Sequence, residues 1–122
     1  MKRKLTTLGL TAILTIIGAS SVLAVPGYST NITAYSWDNR KNSDQIQGAD
    51  TYGKFSLESK GNARAELWEN CPGITQRVTT AQTTNTQNYD SVQVYMKSSC
   101  KYYAFVETQN SNPATAFVRN YN

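Results

Sequence analysis

From Asn31 onward, apolar and polar residues alternate in short runs separated by turn formers, and no stretch holds a helical period for long. Asn31 to Trp37 sets Ile32 and Ala34 against Thr33, Tyr35 and Trp37. Tyr52 to Ser59 places Phe55 and Leu57 on one face, and Ala63 to Glu69 does the same with Ala63, Ala65 and Leu67. Ile74 to Thr84 reads as a Thr-rich strand, and Ser91 to Lys97 alternates Val92, Val94 and Met96 with Gln93, Tyr95 and Lys97. Lys101 to Thr108 is apolar on both faces, as a central strand would be, and Ala114 to Tyr121 is the last strand. Residues 38–49, Cys71-Pro72-Gly73, 85–88 and 109–113 are loops and turns. About seven short strands at regular spacing predict an all-β fold, a small antiparallel β-sandwich or a small barrel.

The runs around Phe55 and Leu67 are expected to pair. With Lys60-Gly61-Asn62 as a three-residue hairpin loop, Leu57 lies opposite Ala65, Phe55 opposite Leu67, and Glu58 opposite Arg64. A one-residue slip would spoil both faces at once.

The N-terminus follows a different pattern. Lys2, Arg3 and Lys4 precede an uncharged, largely apolar run from Leu5 to Ala19, and Val22 and Ala24 suit the −3 and −1 positions of a signal peptidase site. Residues 1–24 are therefore expected to be a signal peptide, leaving 25–122 as a single secreted β domain. The run is shorter than the roughly 20 apolar residues of a spanning helix, so no membrane span is expected in the mature chain. The short Lys/Arg start and the Thr/Asn/Gln-rich body suggest a bacterial source, which gives the Asn31-Ile32-Thr33 glycosylation sequon little weight.

Removing that segment changes the charge balance. Of 12 Lys and Arg, three lie in it, so residues 25–122 keep nine cations against eight acids, a net of +1. Such a surface has no electrostatic footprint for nucleic acid or an anionic membrane. The mature part is also lean in aliphatics, with Leu57 and Leu67 its only leucines, and small cores of this kind commonly need a staple. Cys71 and Cys100 are the only cysteines, and an exported chain would oxidise them to a disulfide. A bridge between them ties the end of the third predicted strand to the start of the sixth. Neither Trp lies between the two cysteines, so the immunoglobulin spacing is absent.

Little catalytic chemistry is available. The chain has no histidine, which removes His-based triads, His-ligated metals and the usual general base near neutral pH, and a disulfide removes the thiol nucleophiles. Glu66 and Glu69 are the nearest carboxylate pair, yet residues i and i+3 of a strand point to opposite faces. A Ser-Lys pair in Lys97-Ser98-Ser99 is unspecific. The alternate oxygen ligands of 38–44 enclose Arg40 and Lys41 and lack the glycine and closing glutamate of a calcium loop. We expect no enzyme, no cofactor and no metal.

Two features remain. Residues 75–88 are Thr, Gln or Asn at 11 of 14 positions, which suits an exposed strand and turn, a template for cross-β pairing, or a flat array on an ordered surface. Tyr35, Trp37, Trp68 and Tyr95 fall on faces opposite the better apolar stripes, and together they form the candidate binding face. The leading expectation is a non-enzymatic extracellular binding domain acting at a cell surface on a glycan or protein partner. The competing class is a secreted antagonist, a bacteriocin-like toxin or an inhibitor of a foreign enzyme.

Overall fold

A computed structural model of the chain describes residues 27–122, so the expected signal peptide and its cleavage point lie outside the described residues. Nine strands are present there: β1 (Ser29–Ala34), β2 (Lys41–Asn42), β3 (Ile46–Gln47), β4 (Thr51–Ser59), β5 (Ala63–Cys71), β6 (Ile74–Thr83), β7 (Tyr89–Met96), β8 (Lys101–Thr108) and β9 (Ala114–Arg119). They form two antiparallel sheets. One has the order β1-β9-β4-β7; the other has the order β2-β8-β5-β6, with β3 also paired to β8. The two strands beyond the expected seven are the short β2 and β3, which dock part of the polar 38–49 loop on the edge of β8.

Each sheet turns its apolar stripe inward. Phe55, Leu57, Met96, Ala116 and Val118 come from the four-stranded sheet, and Ala65, Leu67, Tyr102, Ala104 and Val106 from the other; all are buried. Many inward positions are alanine, so Phe55, Tyr102, Met96 and the two leucines supply most of the bulk between the sheets. As its two apolar faces led us to expect, β8 is an interior strand between β5 and the β2/β3 edge.

The expected β4–β5 hairpin does not form. β4 pairs with β7 and β9, while β5 pairs with β6 and β8, so the two strands belong to opposite sheets. Phe55, Leu57, Ala65 and Leu67 all reach the core, but from its two sides. Alternation fixes which face a strand buries and leaves its neighbour unspecified. The link 60–62 can step between sheets about 10 Å apart, because an extended residue spans up to about 3.6 Å. A three-residue hairpin loop usually ends on a left-handed residue. Here, among the described residues, positive φ is confined to Gly27, Asp50 and Gly73. Gly61 instead packs so closely on Asn110 that an added Cβ would sit 2.7 Å from its side chain. The expected Glu58–Arg64 pair is therefore replaced: Glu58 stands opposite Tyr89 and Thr115, and Arg64 opposite Gln82 and Glu107.

The chain changes sheet after β1, β3, β4, β6, β7 and β8, and among the described residues the one tight hairpin joins β5 to β6. Its turn is Pro72-Gly73, with Gly73 at φ 88°, a match to the Pro-then-Gly requirement of a type II turn. The Cys71–Cys100 disulfide forms at this end of the molecule, where Asn70 and Lys101 are already ladder partners.

Candidate functional site

The first strand ends at Ala34, earlier than expected, so Tyr35 and Trp37 sit on a turn rather than on a strand face. Asp38 closes that turn: its Oδ2 accepts from the Tyr35 amide (2.8 Å) and its own amide donates to the Tyr35 carbonyl (2.9 Å). The two rings stack, with centroids 4.9 Å apart and planes 3° from parallel, and Trp37 is 78% exposed. Trp68 lies on the outward face of the five-stranded sheet, edge-on to Phe105 at 6.1 Å. Tyr95 lies on the outward face of the other sheet, edge-on to Tyr52 at 5.5 Å. Tyr35 and Trp37 are thus brought together, while Trp68 and Tyr95 stand on opposite faces of the sandwich.

Around Trp68 the outward face is organised by one carboxylate. The ladder shifts between Leu67 and Trp68, so that Trp68 opposes Arg77 and Val78 is the extra residue. That bulge turns Arg77 to the face of Glu66. Arg77 Nη1 (3.4 Å), Arg64 Nη2 (3.3 Å) and Arg40 from the loop all pair with Glu66, and Trp68 Nε1 donates to it at 3.0 Å. Burial alone would push the Glu66 carboxyl up; the Trp68 hydrogen bond and the three guanidiniums outweigh it and hold the group below its ordinary 4.5. Arg40 also lies over the Phe105 ring at 4.3 Å. One carboxylate thus anchors three guanidiniums, which outnumber it.

The outward face of the four-stranded sheet is different. Its cross-strand rows run Tyr52–Tyr95, then Gln93–Lys54–Arg119, then Ser91–Ser56–Phe117, then Tyr89–Glu58–Thr115. Between the middle rows and β1 lies an open groove of about 230 Å³. Ser56 is its buried floor, Phe117 and Tyr89 are ring surfaces beside it, and Ser29 and Asn31 come from β1. Lys54 Nζ sits 5.7 Å from the centre of the Tyr89 ring, and the Arg119 guanidinium lies 5.0 Å from the Tyr121 ring. Arg119 Nε donates to the Tyr121 carbonyl at 3.1 Å, which orients the guanidinium. A hydrogen bond with Lys54, helped by the Ser56 and Ser91 hydroxyls, holds the Tyr89 hydroxyl below its ordinary 10 against the opposing effect of burial. The groove shares Glu58 with a second depression of about 440 Å³, which Lys60, Asn88 and Asn112 also line.

Other sequence-derived positions are occupied structurally. Glu66 and Glu69 point to opposite faces of β5: the first joins the arginines, the second accepts from the buried Tyr102 hydroxyl at 2.8 Å. Ser98 gives its hydroxyl to Asp50 Oδ2 at 2.7 Å. Among the described residues, the ligand-type atoms that cluster are those of Glu69, Cys71 and Cys100, and both sulfurs are in the disulfide. The groove residues Lys54, Tyr89, Phe117 and Arg119 were not singled out in the sequence. The usable signal was the alternation of Ala114, Ala116 and Val118 with Thr115, Phe117 and Arg119, which turns an aromatic and a cation outward together.

No protein-family model matches the chain, and no curated sequence is significantly similar to it. Among solved structures, it is similar to the crystal structure of PirA, with a TM-score of 0.46 and 8% identity over 78% of this chain and 95% of that one. It is also similar to the solution structure of a de novo designed double-stranded β-helix, with a TM-score of 0.37 and 12% identity over 76% of this chain and 97% of that one.

Proposed function

We propose that this chain is a non-enzymatic, secreted binding domain that recognises a glycan along the outward face of its four-stranded sheet. The supporting observation is the groove floored by Ser56 and flanked by Tyr89, Phe117, Lys54 and Arg119. The buried core cluster includes neither these two rings nor these two cations, which lie on the outward face. A shallow, open cleft with aromatic surfaces beside hydroxyl, amide and charged groups suits a saccharide, whose C–H faces pack on rings while its hydroxyls exchange hydrogen bonds. The absence of histidine and the pairing of both cysteines favour binding over catalysis.

The test is a Tyr89→Ala, Phe117→Ser double substitution, assayed for thermal stability and for binding to whole cells and a glycan panel. Both side chains face outward, so the fold should persist while binding falls at least tenfold, the scale of losing an interface-centre aromatic. Unchanged binding by a folded variant would refute the groove as the site.

A further inference from the structure

Lys54 and Arg119 are direct cross-strand partners on the same outward face. Like charges placed this way repel, and sheets normally avoid the arrangement. Among the described residues, the ion pairs involve Arg40, Lys41, Arg64 and Arg77, and none involves Lys54 or Arg119. Each of these two cations instead lies by a tyrosine ring. A few strands away, three arginines share the carboxylate of Glu66. One basic cluster is thus gathered round a carboxylate of its own, whereas Lys54 and Arg119 stand at the mouth of a groove with no acidic partner among the described residues.

Building on the groove as the glycan site, we infer that its ligand is an acidic oligosaccharide whose carboxylate is held between Lys54 and Arg119. An Arg guanidinium carries four N–H donors beyond Nε, and here Nε is already anchored on the Tyr121 carbonyl, so the terminal nitrogens are presented in a fixed direction. The Lys54 ammonium completes the cradle from the neighbouring strand. Beyond the cations come the Ser56 hydroxyl and the Phe117 ring for the sugar itself.

Glu58 adds a restriction. It lies on β4 four residues beyond Lys54, about 13 Å along an extended strand, where the groove meets the second depression. Glu58 accepts hydroxyl donors and repels a second carboxylate. The favoured ligand therefore carries its acid at one end of the bound segment and is neutral at the next sugars, unlike a uniformly charged polyuronate.

The experiment uses the secreted chain and matched pairs of oligosaccharides, each neutral member compared with the same sugar bearing one terminal glucuronic or sialic acid. The acidic member should bind about tenfold or more tightly, as a charge-assisted hydrogen bond provides. That preference should shrink as salt rises from 0.05 to 0.5 M, because exposed charges are screened. A Lys54→Gln, Arg119→Gln variant, shown by its melting curve to be folded, should bind both members equally. Equal affinity for both members in the parent, or a preference that survives in the variant, overturns the inference. If neutral and acidic sugars bind equally and the Tyr89→Ala, Phe117→Ser variant loses both, the glycan site stands and only the acidic specificity falls. If the parent binds no member of the panel, the site and the specificity fall together.

Discussion

The hydroxyl of Tyr102, wholly buried on β8, donates to Glu69 Oε1 on the adjoining strand β5 at 2.8 Å and accepts from the Lys97 amide at 2.9 Å. Burial pushes the Tyr102 hydroxyl up to about 12, and the Glu69 carboxylate beside it acts in the same direction. For Glu69, burial raises the carboxyl, but hydrogen bonds from Gln76 and Tyr102 and the charge of Lys97 outweigh it, so the group lies below its ordinary 4.5.

Two opposite pH arms follow. Glu69 titrates lower in the folded chain than in the unfolded one, so its contribution is fully present above 4.5 and is lost as the pH falls through the folded value. Tyr102 titrates higher in the folded chain, so its contribution is fully present below 10 and is lost as the pH rises toward about 12. Melting curves from pH 2 to 12 should fall at both ends. In Glu69→Gln the acid arm should weaken, and in Tyr102→Phe the alkaline arm should weaken. Identical pH profiles for parent and variants would show that the pair does not couple to folding.

The disulfide should act chiefly on the unfolded chain, because β5 and β8 are already joined by their ladder up to Asn70 and Lys101. Closing a loop of sequence separation 29 contributes about 3–4 kcal/mol in the chain-entropy model. At 4–8 °C per kcal/mol for a domain of this size, a Cys71→Ser, Cys100→Ser variant should melt roughly 12–30 °C lower. Its folded-state hydrogen-exchange pattern away from the bridge should be retained. A variant that melts within a few degrees of the parent would contradict this assignment.

The two tryptophans should behave unlike each other. Trp37 is 78% exposed on its turn, so Trp37→Ala should change stability by less than about 1 kcal/mol. Trp68 is half-buried, packs on Phe105 and donates to Glu66. Removing it strips packing and leaves a buried carboxylate with one donor fewer, at about 2–3 kcal/mol. Denaturant unfolding of the two single variants separates them; equal losses would refute the difference in placement.

Periodicity made the long strands legible, and in β4, β5 and β7 it also marked the apolar stripe that the structure buries, because a strand exposed on one side must alternate. It left strand order illegible. Phe55, Leu57, Ala65 and Leu67 suit a hairpin and a sheet-crossing link equally well, since both bury the same side chains. What decides between them is remote: β7 and β9 take both edges of β4, and Asn110 packs on Gly61 from 49 residues away. The groove was hidden for a related reason. Lys54 and Arg119 are 65 positions apart in sequence and become neighbours only through the β4–β9 ladder. Tyr89 stood outside the expected strand, which the structure starts two residues earlier than Ser91.

Asn120 is the clearest case of a residue with no mark in the sequence and a central role in the fold. It is fully buried just past β9. Its Oδ1 accepts from the amides of Gly27 (2.8 Å) and Tyr28 (2.9 Å), and its Nδ2 donates to the Gln47 carbonyl (2.9 Å). One side chain thus ties the start of the described chain, the β3 segment and the end of β9 together. Asn120→Ala leaves two amides and a carbonyl to find new partners in a site built for an amide, and should cost on the order of 2–4 kcal/mol. Asn120→Asp keeps the acceptor but replaces the donor to Gln47 with a buried oxygen, so it should destabilise as well at neutral pH. Thermal melts give the magnitude, and amide exchange gives the place: Gly27 and Tyr28 should lose protection in both variants before the central strands do. Full protection of these two amides in Asn120→Ala would show that the N-terminal strand is held without this side chain.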